Sequence, residues 1–309
     1  MKLFLKLVKV ILINFIKMNI CDTDKHTSLY NKEIVLDGSK TVLFIDMSYY
    51  IFYRYFALTS WWKRAHPEEE LDIEKIMENK IFIEKYHKLF LENIKKIQKK
   101  YKIKDSIIIF GKDCRRYNIW RNEHYDVYKK TRDDKNKRFN KDIFIYTYDE
   151  IVPDLIDLGA NIYYHENAEA DDIIAILKKN IRNKYSELPI YIITNDHDYL
   201  QLFDDNTYIY NLKGLNLRTK SKGNSKLDLQ FKIFRGDNSD NISSVISKKI
   251  RDDKIIDIIY NKEKFDEFFK ENEKLKEIYD TNELLIDFNK IPQNIQDDVS
   301  KYIKFKMVE

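Results

Sequence analysis

Apolar runs of strand length in this chain stop abruptly at aspartates. The clearest case lies within Ile190 to Leu202, where an apolar, β-branched run is followed by Asp196 and Asp198. Two anions this close repel one another, and they are easiest to accommodate when a hard cation such as Mg²⁺ binds between them and other carboxylates. An aspartate after a strand is also a common turn residue or helix cap, so this segment alone leaves both interpretations open.

The same pattern occurs twice more. The run that begins at Thr41 ends in Asp46, and the run from Ser106 to Gly111 is followed by Asp113. Helical patterns separate these strands, the plainest over Ile81 to Tyr101, and the alternation predicts an α/β fold with a central, mostly parallel sheet flanked by helices. Ligands bind outside the carboxyl ends of such strands, so we expect the three aspartates to meet in one crevice.

Two further segments bring acidic residues. Glu169, Asp171 and Asp172 crowd the first turn of a predicted helix, where the helix dipole favours negative charge. Three acids exceed what capping requires, and Glu169 and Asp172 share a helix face. Asp237 and Asp240 follow on a tight turn led by a glycine. The chain therefore offers nine candidate ligands in five segments.

The charge balance favours a polyanionic partner. Lys and Arg number 55 against 51 Asp and Glu, for a net charge of +4. Setting the candidate ligands aside leaves a clearly basic surface, which suits nucleic acid or an anionic membrane. The two cysteines and six histidines show no zinc-binding pattern, so we expect oxygen ligands for any metal.

Residues 115–141 are the most basic stretch, with ten Lys or Arg against four Asp or Glu. Aromatic residues are interleaved with the charges, among them Tyr117, Trp120 and Tyr128. Basic side chains can hold a phosphate backbone while rings stack on unpaired bases, which suits single-stranded or frayed nucleic acid. A solvated helix face with its aromatic rings in the core explains the same pattern, and both alternatives stay open.

The chain divides into three predicted regions: an N-terminal extension (1–39), a core with a basic arch at about 115–141 (40–228), and a C-terminal helical, DNA-binding region (229–309). Residues 1–17 form a basic apolar stretch that is short and lysine-interrupted for a membrane span. We favour an upstream extension before Met18 or an amphipathic helix, with a membrane anchor as the alternative. Residues 60–80 are predicted to be a surface excursion.

The five acidic segments, in this order, resemble the flap endonuclease and 5′→3′ exonuclease superfamily. The run from Tyr128 to Arg132 matches its Tyr-Lys-x-x-Arg motif, and the C-terminal stretch from Leu285 to Ile295 is similar to the T-even phage ribonuclease H group. One departure concerns the segment after the Gly-Asp turn, which usually forms a glycine-rich hairpin that grips duplex phosphates. Residues 243–249 contain no glycine, which puts duplex binding through that hairpin in doubt.

The resemblance implies a PIN-like nuclease core with two Mg²⁺ ions, for which Mn²⁺ can substitute. It assigns the inner ion to Asp46, Asp113, Asp171, Asp172 and Asp196, with Glu169 completing the shell, and the outer ion to Asp198, Asp237 and Asp240. Lys129 and Arg132 would bind the scissile phosphate. The residues expected to contact nucleic acid are Arg115, Arg116, Arg121, Tyr128, Lys129, Lys130 and Arg132.

The implied function is a metal-dependent 5′→3′ exonuclease and flap endonuclease that removes RNA primers or 5′ flaps from duplexes during DNA replication. Expected partners are a DNA duplex with a 5′ flap or nick, an RNA–DNA hybrid, and a single-strand-binding protein or sliding clamp. We expect a monomer without a small-molecule cofactor, in the cytoplasm or a viral replication compartment. The alternatives are a compact PIN-type endoribonuclease and a catalytically inactive, structure-specific DNA-binding protein.

Overall fold

A computed structural model describes residues 27–130, 139–247, 249–270 and 272–306 of the chain. The apolar stretch at 1–17 and the predicted phosphate ligand Arg132 lie outside the described residues, so the expectations for them stay predictions. None of the helices in the described ranges is long and apolar enough to cross a membrane.

The centre of the fold is a five-stranded sheet with the strand order β4-β3-β2-β5-β6, in which every neighbouring pair is parallel. Its strands are β2 (Val42–Asp46), β3 (Ile107–Lys112), β4 (Ala160–Tyr164), β5 (Ile190–Ile193) and β6 (Thr207–Tyr210). Two short strands, β1 (Ile34–Leu36) and β7 (Ile303–Phe305), form a separate parallel pair. The predicted α/β class with a parallel sheet is confirmed.

Helices follow most of the strands. Their bounds are α1 (Met47–Ala65), α2 (Lys80–Lys100), α3 (Asp142–Tyr146), α4 (Val152–Asp157), α5 (Ala170–Lys184), α6 (Ser225–Arg235), α7 (Asp252–Tyr260), α8 (Lys262–Lys270), α9 (Glu273–Ile286) and α10 (Gln293–Ser300). A π-helical turn, Thr147–Ile151, joins α3 to α4, and a 3₁₀ turn, His197–Leu202, follows β5.

Both faces of the sheet are buried because side chains alternate along each strand. Leu43 and Ile45 of β2 face a core built with α1 and α2, whereas Val42 and Phe44 face a second core built with α5 and α10. A third core joins α6 to the later helices. Strands that are covered on both faces consist of continuous apolar residues. An aspartate at the end of such a strand is therefore easy to recognise in the sequence.

The predicted surface excursion at residues 60–80 is wrong for residues 60–65, which are helical. Helix α1 continues to Ala65, and the Trp62 side chain is buried and stacks on the His66 ring at 4.3 Å. Lys63 and Arg64 lie in the last turn of the helix, where positive charge interacts favourably with the helix dipole. The basic residues that suggested a loop are therefore compatible with a helix end.

Candidate active site

A crevice of about 1030 Å³ opens at the carboxyl ends of the strands. Its walls carry acids from all five predicted segments, which the parallel topology brings to one edge of the sheet. The candidate ligands that line it are Asp46, Asp113, Glu169, Asp171, Asp196 and Asp237. Two groups of three acids in the described residues have carboxylate oxygens within 4.8 Å of one another: Glu169 with Asp171 and Asp172, and Asp198 with Asp237 and Asp240.

Backbone and hydroxyl donors fix the two aspartates that end β2 and β3. Asp46 caps helix α1 by accepting from the Tyr49 amide at 3.0 Å, and it also accepts from the Thr194 hydroxyl at 3.3 Å. Asp113 accepts from the Ala170 amide at 2.8 Å and from the Ser48 hydroxyl. The sequence signal for both was local, an apolar run followed by an acid.

Gly111 makes the approach of α5 to β3 feasible. A Cβ atom at this position would lie 2.7 Å from the Ala170 carbonyl oxygen, which is closer than real Cβ contacts come. Without that side chain, the first turn of α5 reaches Asp113 and places Asp171 in the same crevice. A glycine in a strand interior commonly marks such a close approach.

The acids of this inner group are held close together against their mutual repulsion. Burial, together with the negative charges of Asp113 and Asp196, raises the pKa of Asp46 to about 7. Burial also raises the pKa of Asp113, and burial with the charge of Asp172 raises that of Asp171. Lys129 and Arg121 offset only part of this repulsion, so a bound cation would relieve a real electrostatic cost. The donor set, all oxygen, fits a hard divalent ion.

Asp172 and Arg121 form a buried ion pair. The Arg121 guanidinium donates to both Asp172 oxygens, at 2.7 and 2.8 Å, and to Glu169 Oε2 at 3.1 Å. Trp120 Nε1 also donates to Asp172, at 3.0 Å, and Arg121 Nε donates to the Leu285 carbonyl. The Arg121 side chain is 2% exposed. Direct contact with nucleic acid does not fit this burial, and the contacts give Arg121 a positioning role.

Glu169 is the meeting point of the basic arch and the acidic crevice. It accepts from the Tyr128 hydroxyl at 2.9 Å and lies 2.5 Å from Lys129 Nζ. Burial alone would raise the pKa of Glu169, but the charges of Lys129 and Arg121 lower it to about 2. The Tyr128 ring is buried, so the base stacking that its sequence context suggested does not fit its position.

The outer group surrounds a lysine that sequence reasoning missed. Lys232 Nζ, on helix α6, lies 2.6 Å from Asp198 Oδ1 and 2.5 Å from Asp237 Oδ2. Asp240 lies on the same turn, and its carboxylate is 3.5 Å from Lys129 Nζ. Lys232 is one lysine among many in the sequence, and only the fold brings it to Asp198, so no local signal could have found it.

The other predicted nucleic-acid contacts differ in exposure. Arg116 is exposed and lines the crevice, Arg115 is partly exposed and donates to the Tyr117 hydroxyl at 2.6 Å, and Lys130 is exposed. Phe139, one of the aromatic residues of the basic stretch, lines the same crevice, together with Phe52 and Phe144 from outside that stretch. The rim is thus basic and partly aromatic while the floor is acidic, which are the properties expected of a site for a phosphate chain.

Comparisons with known proteins agree with this architecture. The family described as "5′-3′ exonuclease, N-terminal resolvase-like domain" matches residues 41–230. A 5′-3′ exonuclease of Mycoplasmopsis pulmonis is 30% identical over 164 residues, which are 51% of this chain and 52% of that protein. The chain thus spans about half the length of this curated relative.

Solved structures of a bacteriophage T5 protein share the fold. The T5 protein co-crystallised with metal ions has a TM-score of 0.57 and 17% identity, covering 85% of this chain and 97% of that one. A T5 flap endonuclease complex with DNA and metal ions gives the same values, as does the T5 5′-exonuclease with bound zinc.

An α/β chain with an acidic crevice at the strand ends and a basic rim has the architecture of a nuclease domain. The match over residues 41–230 makes the assignment specific: the chain belongs to the 5′-3′ exonuclease family. The predicted superfamily is therefore confirmed. The predicted metal ligands, the domain limits and the replication partners stay predictions.

Proposed function

We propose that this chain is a divalent-metal-dependent nuclease that hydrolyses phosphodiesters from the 5′ side, at 5′ flaps or nicks of DNA duplexes and on RNA–DNA hybrids. The observation that carries the proposal is the inner acid group. Three strand- and helix-borne carboxylates with raised pKa values share one crevice. Buried carboxylates that are held together despite their mutual repulsion are typical of a functional site.

In this proposal the inner ion is held by Asp46, Asp113, Asp171 and Asp196, with Glu169 at its side. The outer ion is held by Asp198, Asp237 and Asp240. Mg²⁺ is the proposed ion, because every candidate ligand is an oxygen, and Mn²⁺ can take its place. For Asp172 we propose a positioning role, since both of its oxygens accept from Arg121.

Two bound divalent ions would supply an activated water and neutralise charge on the attacking and leaving oxygens. The chain itself supplies orientation. Asp46 and Asp113 are fixed by amide and hydroxyl donors, so they hold their positions without substrate. Lys129 lies in the crevice beside Glu169, where its ammonium group can stabilise negative charge that develops on a phosphate. Arg116 and Lys130 can hold neighbouring phosphates.

The test uses 5′-labelled substrates: a flap duplex, a nicked duplex and an RNA–DNA hybrid, each with Mg²⁺ or with EDTA. We expect short 5′ products only with the metal, and loss of at least about 10³-fold in rate for Asp113→Asn. Asp105→Asn is the matched control, because Asp105 is exposed and precedes the other end of the same strand. Cleavage in EDTA would refute the proposal. Internal cleavage of single-stranded RNA alone would favour an endoribonuclease, and binding without cleavage a structural role.

A further inference from the structure

Two lysines lie among the acids of the crevice, and their positions differ. Lys129 Nζ lies 2.5 Å from Glu169 Oε1 of the inner group and 3.5 Å from Asp240 of the outer group. Lys232 Nζ lies at hydrogen-bond distance from two outer acids at once, Asp198 and Asp237. Of the lysines that the structure describes in the crevice, Lys232 is therefore the one that bridges two proposed ligands of the same ion.

Lys232 lies between two of the acids that are proposed to hold the outer ion. Its ammonium group lies 2.6 Å from Asp198 and 2.5 Å from Asp237, and these two carboxylates belong to the group of three whose oxygens converge within 4.8 Å. The side chain is mostly enclosed, at 22% exposure. An ammonium group at such distances takes up lone pairs that a divalent ion needs, and it repels the ion, so the two compete for Asp198 and Asp237.

We propose that Lys232 is an internal competitor of the outer metal ion, so that this ion binds only when the lysine leaves Asp198 and Asp237. The proposal rests on the two-ion function described above. It has a direct consequence for the order of loading: the outer ion must displace a lysine from two of its ligands, so the outer site fills second and more weakly than the inner site. The residue that sets this difference is on α6, outside the acidic motifs.

Removing the lysine should therefore tighten the outer site. Metal binding would no longer break two ion pairs, and a positive charge would be gone from the neighbourhood of the ion. Both effects strengthen metal binding at the outer site. If Lys232 instead held the acids in the geometry that the ion needs, its removal would weaken binding, so the direction of the change distinguishes competition from preorganisation.

The experiment is a Mn²⁺ titration of the ion-free full chain, with free Mn²⁺ followed by electron paramagnetic resonance. We expect two classes of site, and in Lys232→Met a weaker class that tightens by about tenfold or more while the tighter class changes less than about threefold. Lys141→Met is the matched control, because Lys141 is exposed and lines the same crevice. It removes the same charge and should leave the weaker class within about threefold. Lys232→Arg keeps a cation and should keep the outer site weak.

Thermal unfolding supplies a second readout that is independent of activity. Ion-free Lys232→Met should melt below the ion-free natural chain, and Mg²⁺ should raise its melting temperature by more. Two classes of site whose affinities are unaffected by Lys232→Met, or a weaker class that weakens, would overturn the competition and leave the two-ion function standing. A single class in every variant would overturn both.

Discussion

The guanidinium of Arg121 grips the Asp172 carboxylate through two hydrogen bonds of 2.7 and 2.8 Å, and both side chains are buried. The preceding residue, Asp171, lies in the crevice, where none of the described residues grips its carboxylate in this way, and burial with the charge of Asp172 raises its pKa. The two adjacent aspartates therefore differ. Arg121 pairs with the charge of Asp172, whereas neighbouring carboxylates repel the charge of Asp171. Arg121, which the sequence analysis predicts as a nucleic-acid contact, instead holds the first turn of the helix that carries Asp171.

This contrast predicts opposite effects of two conservative substitutions. Asp172→Asn leaves Arg121 with less countercharge in a buried position and should lower the free energy of unfolding by about 3 kcal/mol. Asp171→Asn removes repulsion and should raise the free energy of unfolding of the ion-free protein by about 1 kcal/mol, while abolishing tight metal binding. Urea unfolding in EDTA at pH 8 measures both. Equal destabilisation by the two substitutions would contradict the different roles proposed for Asp172, in the buried ion pair, and Asp171, in the metal site.

The close approach at Gly111 gives a steric prediction. In Gly111→Ala the new Cβ would meet the Ala170 carbonyl at 2.7 Å, so helix α5 must shift and the Ala170 amide must leave Asp113. We expect a loss of about 1–3 kcal/mol in unfolding free energy and weaker binding at the inner metal site. Calorimetric titration with Mn²⁺ would measure the affinity.

Gly159→Ala is its control. Gly159 has a φ of +88°, and no atom of the described residues lies within 4 Å of an added Cβ, so backbone strain alone should cost about 1 kcal/mol. It lies before β4, away from the crevice, and metal affinity should stay unchanged. An equal loss of metal affinity in both variants would mean that α5 does not depend on the close approach at Gly111.

The raised pKa of Asp46 predicts how pH affects the ion-free protein. Its pKa is about 7 in the folded chain against an ordinary 3.8, so between these values the folded state binds a proton that the unfolded state has lost. Stability from this group is therefore fullest below about pH 4 and is lost as the pH rises to about 7. Asp46→Asn should raise the unfolding free energy at pH 8 by of order 2 kcal/mol, and Asn can still cap α1.

A divalent ion should reverse that trend, because it replaces the proton. The rise in melting temperature caused by Mg²⁺ should be small at pH 5 and large at pH 8, with protons released on binding. Thermal scans across this range, with and without EDTA, measure the effect. A metal-induced shift that is independent of pH would contradict the role of the inner acids.

What the sequence could predict was local or followed from topology. An apolar run that stops at an acid is visible in five residues, so Asp46, Asp113 and Asp196 were found, and a parallel sheet places strand ends together. Burial of Arg121 and the pairing of Lys232 depend on contacts between distant segments. The sequence does not show which way a charged side chain points. A buried arginine that positions an acid therefore looks the same in the sequence as an exposed arginine that contacts phosphate.

Lys129 and Lys130 offer a final test, since they are neighbours in the arch with different surroundings. Lys129 is 12% exposed and lies beside Glu169 in the crevice, whereas Lys130 is exposed. A charge next to the reacting phosphate acts in the transition state, so Lys129→Met should lower kcat by about 10²–10³ with little change in KM. A rim charge acts through counterion release, so Lys130→Met should weaken binding several-fold at low salt and reduce the salt dependence of binding by about one ion. Single-turnover cleavage and binding at several salt concentrations separate the two. If both substitutions changed only affinity, Lys129 would belong to the binding surface and not to the catalytic site.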